Sequence, residues 1–243
     1  MRNVLVTGGS RGIGLAISRR IAAAGYNVIA VARRESDELR AAIREAGAGA
    51  GGLHFRAFDL SVVDAIPAFV KGLRDEFGVI YGLVNNAGIG TEGLLATMHN
   101  TEIEALMRLN ILSPIVLTKY VVRQMMADGA GRIINMSSII ATTGYNGLSV
   151  YGATKAAATG FTRSLAREVG KLGITVNAIA PGFVDTELTQ GLSEDQRKRI
   201  VGRSALRRLP EADDVARMVE YLLGDGGSNI TGTVLTVDAG NTA

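Results

Sequence analysis

Seven short runs of apolar, largely β-branched residues, each bounded by Gly, Asn or Asp, recur along the chain at 4–6, 28–31, 53–58, 83–84, 133–136, 174–179 and 234–237. Runs of this length read as strands. Between them lie segments of helical period at 13–24, 36–46, 62–77, 101–126, 150–169 and 213–223. Strands that alternate with helices require right-handed crossovers, and so a parallel sheet covered on both faces. The expected fold is α/β: a doubly wound, seven-stranded parallel sheet with helices on both faces. With 243 residues, 47% of them hydrophobic, there is material for one such core, and 1–243 reads as a single domain. Ligands of such sheets gather beyond the carboxyl ends of the strands.

Two stretches fall outside this rhythm. "AGAGAGG" at 46–52 reads as a helix C-cap and a flexible turn. Residues 186–210, rich in Arg, Glu, Gln and Ser, follow the sixth strand with only a weak helical pattern; by position they would form a substrate lid over the sheet's carboxyl edge, or else a surface helix pair with no moving role.

Several function classes are disfavoured. The chain has no cysteine, so a disulfide framework and a thiolate metal site are impossible, and the cytoplasm is the expected compartment. The first strand begins near Asn3 and no later run resembles a membrane span, so neither export nor insertion is expected. The net charge of +3 is interspersed and not gathered in a stripe, so no nucleic-acid partner is expected. His54 and His99 lack ligand spacing, and no metal site is expected. Met125, Met126 and Met136 read as packing residues, and the acidic pairs Asp75/Glu76 and Asp213/Asp214 as solvated helix charges.

The first crossover carries "VLVTGGSRGIGLAI", which sets Gly8, Gly12 and Gly14 between strand and helix. Glycines there allow a tight turn and a close approach to a pyrophosphate seated on the helix N-terminus, as in Rossmann-like folds. The spacing is G-x-x-x-G-x-G and not the general G-x-G-x-x-G. After the second strand, where an NAD-binding chain offers an acid to the ribose, "VARRES" places Ala32, then Arg33 and Arg34, with Glu35 as the nearest acid. Together with Arg11 these guanidinium groups suit a 2′-phosphate, which points to NADP(H).

"SVYGATKAA" places Tyr151 and Lys155 one helical turn apart on one face. A nearby ammonium and a cationic nicotinamide would lower the phenol toward neutrality; about 3 pH units of lowering needs about 4 kcal/mol. Tyr151 would then act as acid for ketone reduction or base for alcohol oxidation. The small neighbours Gly152, Ala153, Thr154 and Ala156 would let a cofactor lie along the helix. "GRIINMSS" ends a buried-type strand in two serines, either of which could bring a hydroxyl to the substrate oxygen.

These motifs resemble the short-chain dehydrogenase/reductase family in its single-domain form. "TGGSRGIG" is similar to its T-G-x-x-x-G-x-G turn, "NNAG" to its fourth-strand motif, "YGATK" to its Y-x-x-x-K and "APGFVDT" to its P-G segment. The resemblance covers nearly the whole chain. It implies Ser138, 13 residues before Tyr151, as the catalytic serine, Tyr151 as acid/base, and Lys155 on the nicotinamide ribose. Asn110 would complete a proton relay through water. It further implies cofactor contacts from Gly8, Ser10, Arg11, Gly12, Ile13, Gly14 and Arg33, from Asp59 and Leu60, from Asn86, Ala87 and Gly88, and from Pro181, Gly182, Val184 and Thr186.

Within the family the string most resembles the 3-oxoacyl-(acyl-carrier-protein) reductases. That resemblance implies an acyl-thioester substrate, free or carried on acyl carrier protein, and a homotetramer built from the long helices and the last strand. Those reductases commonly present basic residues just before the fifth strand and before "GITVN"; here Asp128, Gly129 and Ala130 precede Gly131, and Leu172 precedes Gly173. Alternatives are an NAD(P)-dependent alcohol, steroid or small-ketone dehydrogenase, or a dinucleotide-binding regulator without turnover.

Overall fold

All seven expected strands form in a computed structural model that describes residues 1–47, 49–184 and 193–243. They are β1 (Asn3–Thr7), β2 (Asn27–Ala32), β3 (Gly52–Ala57), β4 (Ile80–Asn85), β5 (Gly131–Met136), β6 (Ile174–Pro181) and β7 (Val234–Val237). They pair in parallel in the order β3-β2-β1-β4-β5-β6-β7. The chain winds outward from β1 to β3, then returns to the other side of β1 for β4 to β7. The loops after β1 and β4 therefore diverge and open a crevice at the carboxyl edge.

The helices are α1 (Gly12–Ala23), α2 (Asp37–Ala46), α3 (Ile66–Phe77), α4 (Asn100–Met107), α5 (Ser113–Asp128), α6 (Ser149–Val169), α7 (Glu194–Arg203) and α8 (Ala212–Leu223). Alternation along β1 divides the core between two layers. Val4 and Val6 pack with Ile17, Leu39, Val219 and Leu222 from α1, α2 and α8. Leu5 faces the opposite layer with Ile66, Leu117, Val121 and Leu165 from α3, α5 and α6. Met125 and Met136 are buried in these layers as expected, whereas Met126 is exposed.

Three expectations are corrected. The segment 62–77 is α-helical only from Ile66, after a 3-10 turn at Val63–Ala65, because Pro67 fits the first turn, where no intrahelical donor is needed. Asn100–Asp128 has an 18-residue window of mean hydropathy 1.3, enough to cross a membrane by length and composition. One face of it explains the apolarity: Leu106, Leu117, Val121 and Met125 are buried, while Met107, Leu112, Ile115 and Met126 remain exposed. Asp213 is no isolated solvated charge, since it accepts from Arg20 Nη1 at 3.0 Å and joins α8 to α1. Glu220 accepts from the Nε of the same guanidinium. Of the expected lid, 186–192 lies outside the described residues; the part from Ser193 contains α7, capped by the Ser193 hydroxyl.

Burial outweighs this partly exposed ion network. Leu222→Ala is expected to lower the unfolding free energy by about 2–5 kcal/mol, and Arg20→Ala by roughly 1 kcal/mol or less. Urea titrations of the two variants would show the ranking; equal losses would refute it.

Candidate active site

Where β1 ends, the chain must turn sharply onto α1. Gly8 has φ +66° and Gly12 φ +54°, a region that side chains resist. Space is equally restrictive: a Cβ on Gly14 would lie 2.1 Å from the Gly8 carbonyl oxygen. Thr7 fastens this turn to β4. Its Oγ1 accepts the N–H groups of Asn86 and Ala87, both at 2.9 Å, and Asn86 Nδ2 donates back to the Thr7 carbonyl at 2.9 Å. Asn86 and Ala87 are thereby set beside the glycine turn. Arg11 precedes α1 without a side-chain cap, and no acid occupies the first turn, so the free amides and helix dipole favour an anion. These residues fit the pyrophosphate of a dinucleotide. Ile13, by contrast, packs against the core layer.

The far wall holds Arg33 and Asp59. Asp59 accepts from the Ser61 hydroxyl at 2.7 Å and its N–H at 2.9 Å, and these bonds, with the Arg33 charge, hold its carboxyl below the usual carboxylate range. Glu35 pairs with Arg40 at 3.3 Å and is committed to its neighbouring helix. Arg33 and Arg34, both exposed, are thus the charges here suited to a 2′-phosphate. Ser36 caps α2 by accepting from Leu39 N–H at 3.0 Å, and its hydroxyl donates to the Ser10 carbonyl at 2.6 Å. The Leu60 side chain is buried in the core layer.

The helix expected over 101–126 changes character at Asn110. Arg108–Leu112 is a π turn between α4 and α5, a local widening that occurs often at functional sites. Asn110 Oδ1 accepts from Ile89 N–H at 2.9 Å, while its Nδ2 donates to the Ile89 carbonyl at 2.8 Å and to Thr154 Oγ1 at 3.2 Å. One amide therefore ties the loop after β4 to α6.

The two serines after β5 part company. Ser137 Oγ donates to the Lys155 carbonyl at 3.0 Å, turned back into α6. Ser138 Oγ accepts from Ile140 N–H at 3.3 Å and also hydrogen-bonds Tyr151. The geometry thus separates what strand pattern alone left open. Lys155 is 9% exposed, and its ammonium donates to the Met136 carbonyl at 2.9 Å, 5.6 Å from the Tyr151 ring centroid. Burial brings Lys155 down from 10.5 to about 8. Burial raises the Tyr151 phenol, and the Ser138 hydrogen bond pulls it back. Burial thus opposes the lowering expected from Lys155 and a cationic nicotinamide together.

Of the small residues of α6, Gly152 and Thr154 serve packing, while Ala153 and Ala156 are exposed. A Cβ on Gly152 would lie 3.3 Å from Ile140, and Thr154 bonds Asn110 and the Tyr151 carbonyl. Room beside Lys155 comes instead from Gly88, whose added Cβ would sit 3.6 Å from Nζ and 3.1 Å from Asn110 Oδ1. Behind them a cavity of about 20 Å³, lined by Asn85, Asn110, Asn135, Met136 and Lys155, has room for a water. Asn85 donates to Asn135 at 2.8 Å, and Asn135 to Thr162 at 2.8 Å, in a buried chain that sequence reading missed. After β6, paired through Pro181 to Val237, Gly182 N–H bonds the Val237 carbonyl at 2.9 Å. The Val184 side chain is buried in the core, and Thr186 lies outside the described residues.

Residues 2–197 match the short chain dehydrogenase family. The chain is 41% identical over 236 residues to 3-oxoacyl-[acyl-carrier-protein] reductase FabG of Escherichia coli (strain K12), covering 97% of this chain and 95% of that protein. It is 39% identical over 238 residues to the FabG reductase of Pseudomonas aeruginosa, with the same coverage. Among solved structures, a candidate NAD(P) dependent gluconate 5-dehydrogenase from Beutenbergia cavernae, with bound NADP at low occupancy, superposes with TM-score 0.93 at 30% identity, covering 99% of this chain and 96% of that one.

Thr7 is the residue here that motif reading had left without a role. Thr7→Val would strand two backbone N–H groups at a cost of about 1–3 kcal/mol each. NADPH affinity measured by fluorescence titration should fall at least 10-fold, and Thr7→Ser should recover most of it; a Thr7→Val protein binding NADPH as wild type would refute the role.

Proposed function

The chain belongs to the short-chain dehydrogenase family, and from that premise we propose that it is an NADP-dependent oxidoreductase reducing the ketone of a 3-oxoacyl thioester to the secondary alcohol. The observation that carries this reading is the convergence of Ser138, Tyr151, Lys155 and Asn110 at the carboxyl edge of β5, beside the glycine turn. Bound NADPH supplies the hydride. The chain's own groups handle the oxygen and the proton. Ser138 donates a hydrogen bond to the carbonyl oxygen, and Tyr151 gives that oxygen its proton. Because burial keeps the phenol protonated at neutral pH, the site is loaded for reduction. Lys155 has three donors and spends one on Met136, which leaves the others for ribose hydroxyls. The cavity water beside Asn110 and Lys155 would return a proton to the phenolate.

A second reading, oxidation and reduction of a sugar acid, is motivated by the likeness to the Beutenbergia structure. A dinucleotide sensor without turnover is less well supported, since binding alone requires no proton relay. Both a free acyl thioester and one on acyl carrier protein fit this reading; the run Asp128, Gly129 and Ala130 gives an acidic carrier little to grip. The reading includes a homotetramer, supported by exposed Met107, Leu112, Ile115 and Met126 on the α4–α5 stretch. A sedimentation mass of a single chain would overturn that part.

Tyr151→Phe should lose more than 100-fold in kcat while retaining NADPH affinity; full turnover would refute the assigned role. kcat/KM for NADPH, which reports groups of the free enzyme, should fall as pH rises through about 8, where Lys155 loses its proton. Lys155→Arg, weaker overall, should show no such fall because the guanidinium stays charged.

A further inference from the structure

Three loops frame the approach to Tyr151. Gly90, after β4, lies against its ring, with an added Cβ 3.9 Å away. Three residues on, Gly93 N–H donates to the Gly147 carbonyl at 3.0 Å, joining the β4 loop to the loop before α6. That second loop carries Tyr145, whose ring meets Phe183, just after β6, at 5.7 Å between centroids and a 56° tilt. Beside them Leu94 and Leu95 are 59% and 58% exposed, and Tyr145 is 41% exposed. Exposed apolar side chains at the rim of a polar catalytic group mark a surface that a ligand covers.

Charge narrows the ligand. Residues 88–98 carry one charged side chain, Glu92, and 139–148 and 181–184 carry none. None of the three loops offers a cation to pair with a carboxylate, and Glu92 would repel one. A polyhydroxy acid would also leave hydroxyls against Leu94, Leu95, Tyr145 and Phe183 without partners. An uncharged hydrocarbon chain meets neither penalty.

We infer that Tyr145 and Phe183 are specificity-determining residues, which together hold the unbranched hydrocarbon chain of the substrate beyond its ketone and select longer uncharged acyl chains over anionic, polyhydroxylated ketones. This rests on the ketone-reductase reading of the same site. A methylene gains about 4-fold when fully buried and less at a half-open mouth. Each pair of added methylenes should therefore raise kcat/KM by roughly 5-fold.

The test measures kcat/KM with NADPH for N-acetylcysteamine thioesters of 3-oxobutanoate, 3-oxohexanoate and 3-oxooctanoate, and for 5-ketogluconate. The wild type should show a rising slope with chain length and negligible rate on the sugar acid. Tyr145→Ala, Phe183→Ala and the polar, non-aromatic Tyr145→Gln should each flatten the slope, whereas Tyr145→Phe should keep it, all with NADPH affinity confirming a folded cofactor site. A flat wild-type slope, an undiminished slope in Tyr145→Gln, or faster reduction of 5-ketogluconate would overturn the inference. Failure to reduce even the 3-oxobutanoyl thioester would instead bring down the reductase reading beneath it. A reduced 3-oxobutanoyl thioester with no chain-length slope would remove this inference alone.

Discussion

The Thr7 hydroxyl, clamped between the ends of β1 and β4, is the interaction on which the site most depends. It takes two N–H groups from the start of the β4 loop and, through Asn86, receives a return bond to its own carbonyl. The sheet order makes this junction necessary. Because β1 lies between β2 and β4, the chain leaves β1 toward one side and β4 toward the other, and nothing in the strand ladder itself holds the two loops together beyond the last paired residues. Without a tie, the glycine turn and the loop that carries Gly88 would move independently. With it, the N-terminus of α1 and the space beside Lys155 are parts of one rigid edge.

The second constraint is the buried ammonium. A lysine brought from 10.5 to about 8 carries roughly 3 kcal/mol of penalty in its charged form. Its folded value is depressed, so the native chain holds fewer protons than the unfolded chain between about 8 and 10.5. Stability contributed by this group therefore rises with pH across that window, and the penalty is present in full below about 8. The chain tolerates it because α6 is fixed elsewhere: Ser137 bonds the Lys155 carbonyl, and Thr154 and Asn110 close the next turn. Ribose hydroxyls that complete the ammonium's shell would offset the penalty on binding, coupling cofactor affinity to the charge that the chemistry uses.

The fold was legible because its signals are local and repeated. Strand runs, helix periods and the glycine turn each follow from a few adjacent residues, and "VLVTGGSRGIG" states both its turn and its anion site. The conjunction of Tyr151, Lys155 and the paired serines was legible too, but choosing Ser138 from residues alone was not, since only packing shows Ser137 turned into α6. The π turn at Asn110 was hidden for a related reason. "LMRLNIL" reads as continuous helix, and the widened turn accompanies Asn110 bonds to Ile89 and Thr154, 21 and 44 residues away in the chain. Thr7 and the Tyr145–Phe183 contact were missed because their partners come from distant loops. The phenol's desolvation, which opposes the neighbouring charge, was not legible from spacing.

Burial acts on Tyr151 and Lys155 in opposite senses, raising one and lowering the other, so each is pushed toward its neutral form. On the proposed mechanism, below about pH 8 the lysine remains charged and the phenol keeps its proton, so an acid is loaded and a cation stands near the phenolate it would leave behind. Above that range the phenolate would form against a neutral amine and lose its compensation. Ser138 works in the same direction by a different route, since its hydrogen bond favours the phenolate without adding charge. On the proposed mechanism, the proton chemistry is set by residues at the end of β5 and on α6. Substrate choice falls, on the same reading, to the three loops that meet beyond them, which are held by short 3-10 turns and single backbone bonds and not by the sheet.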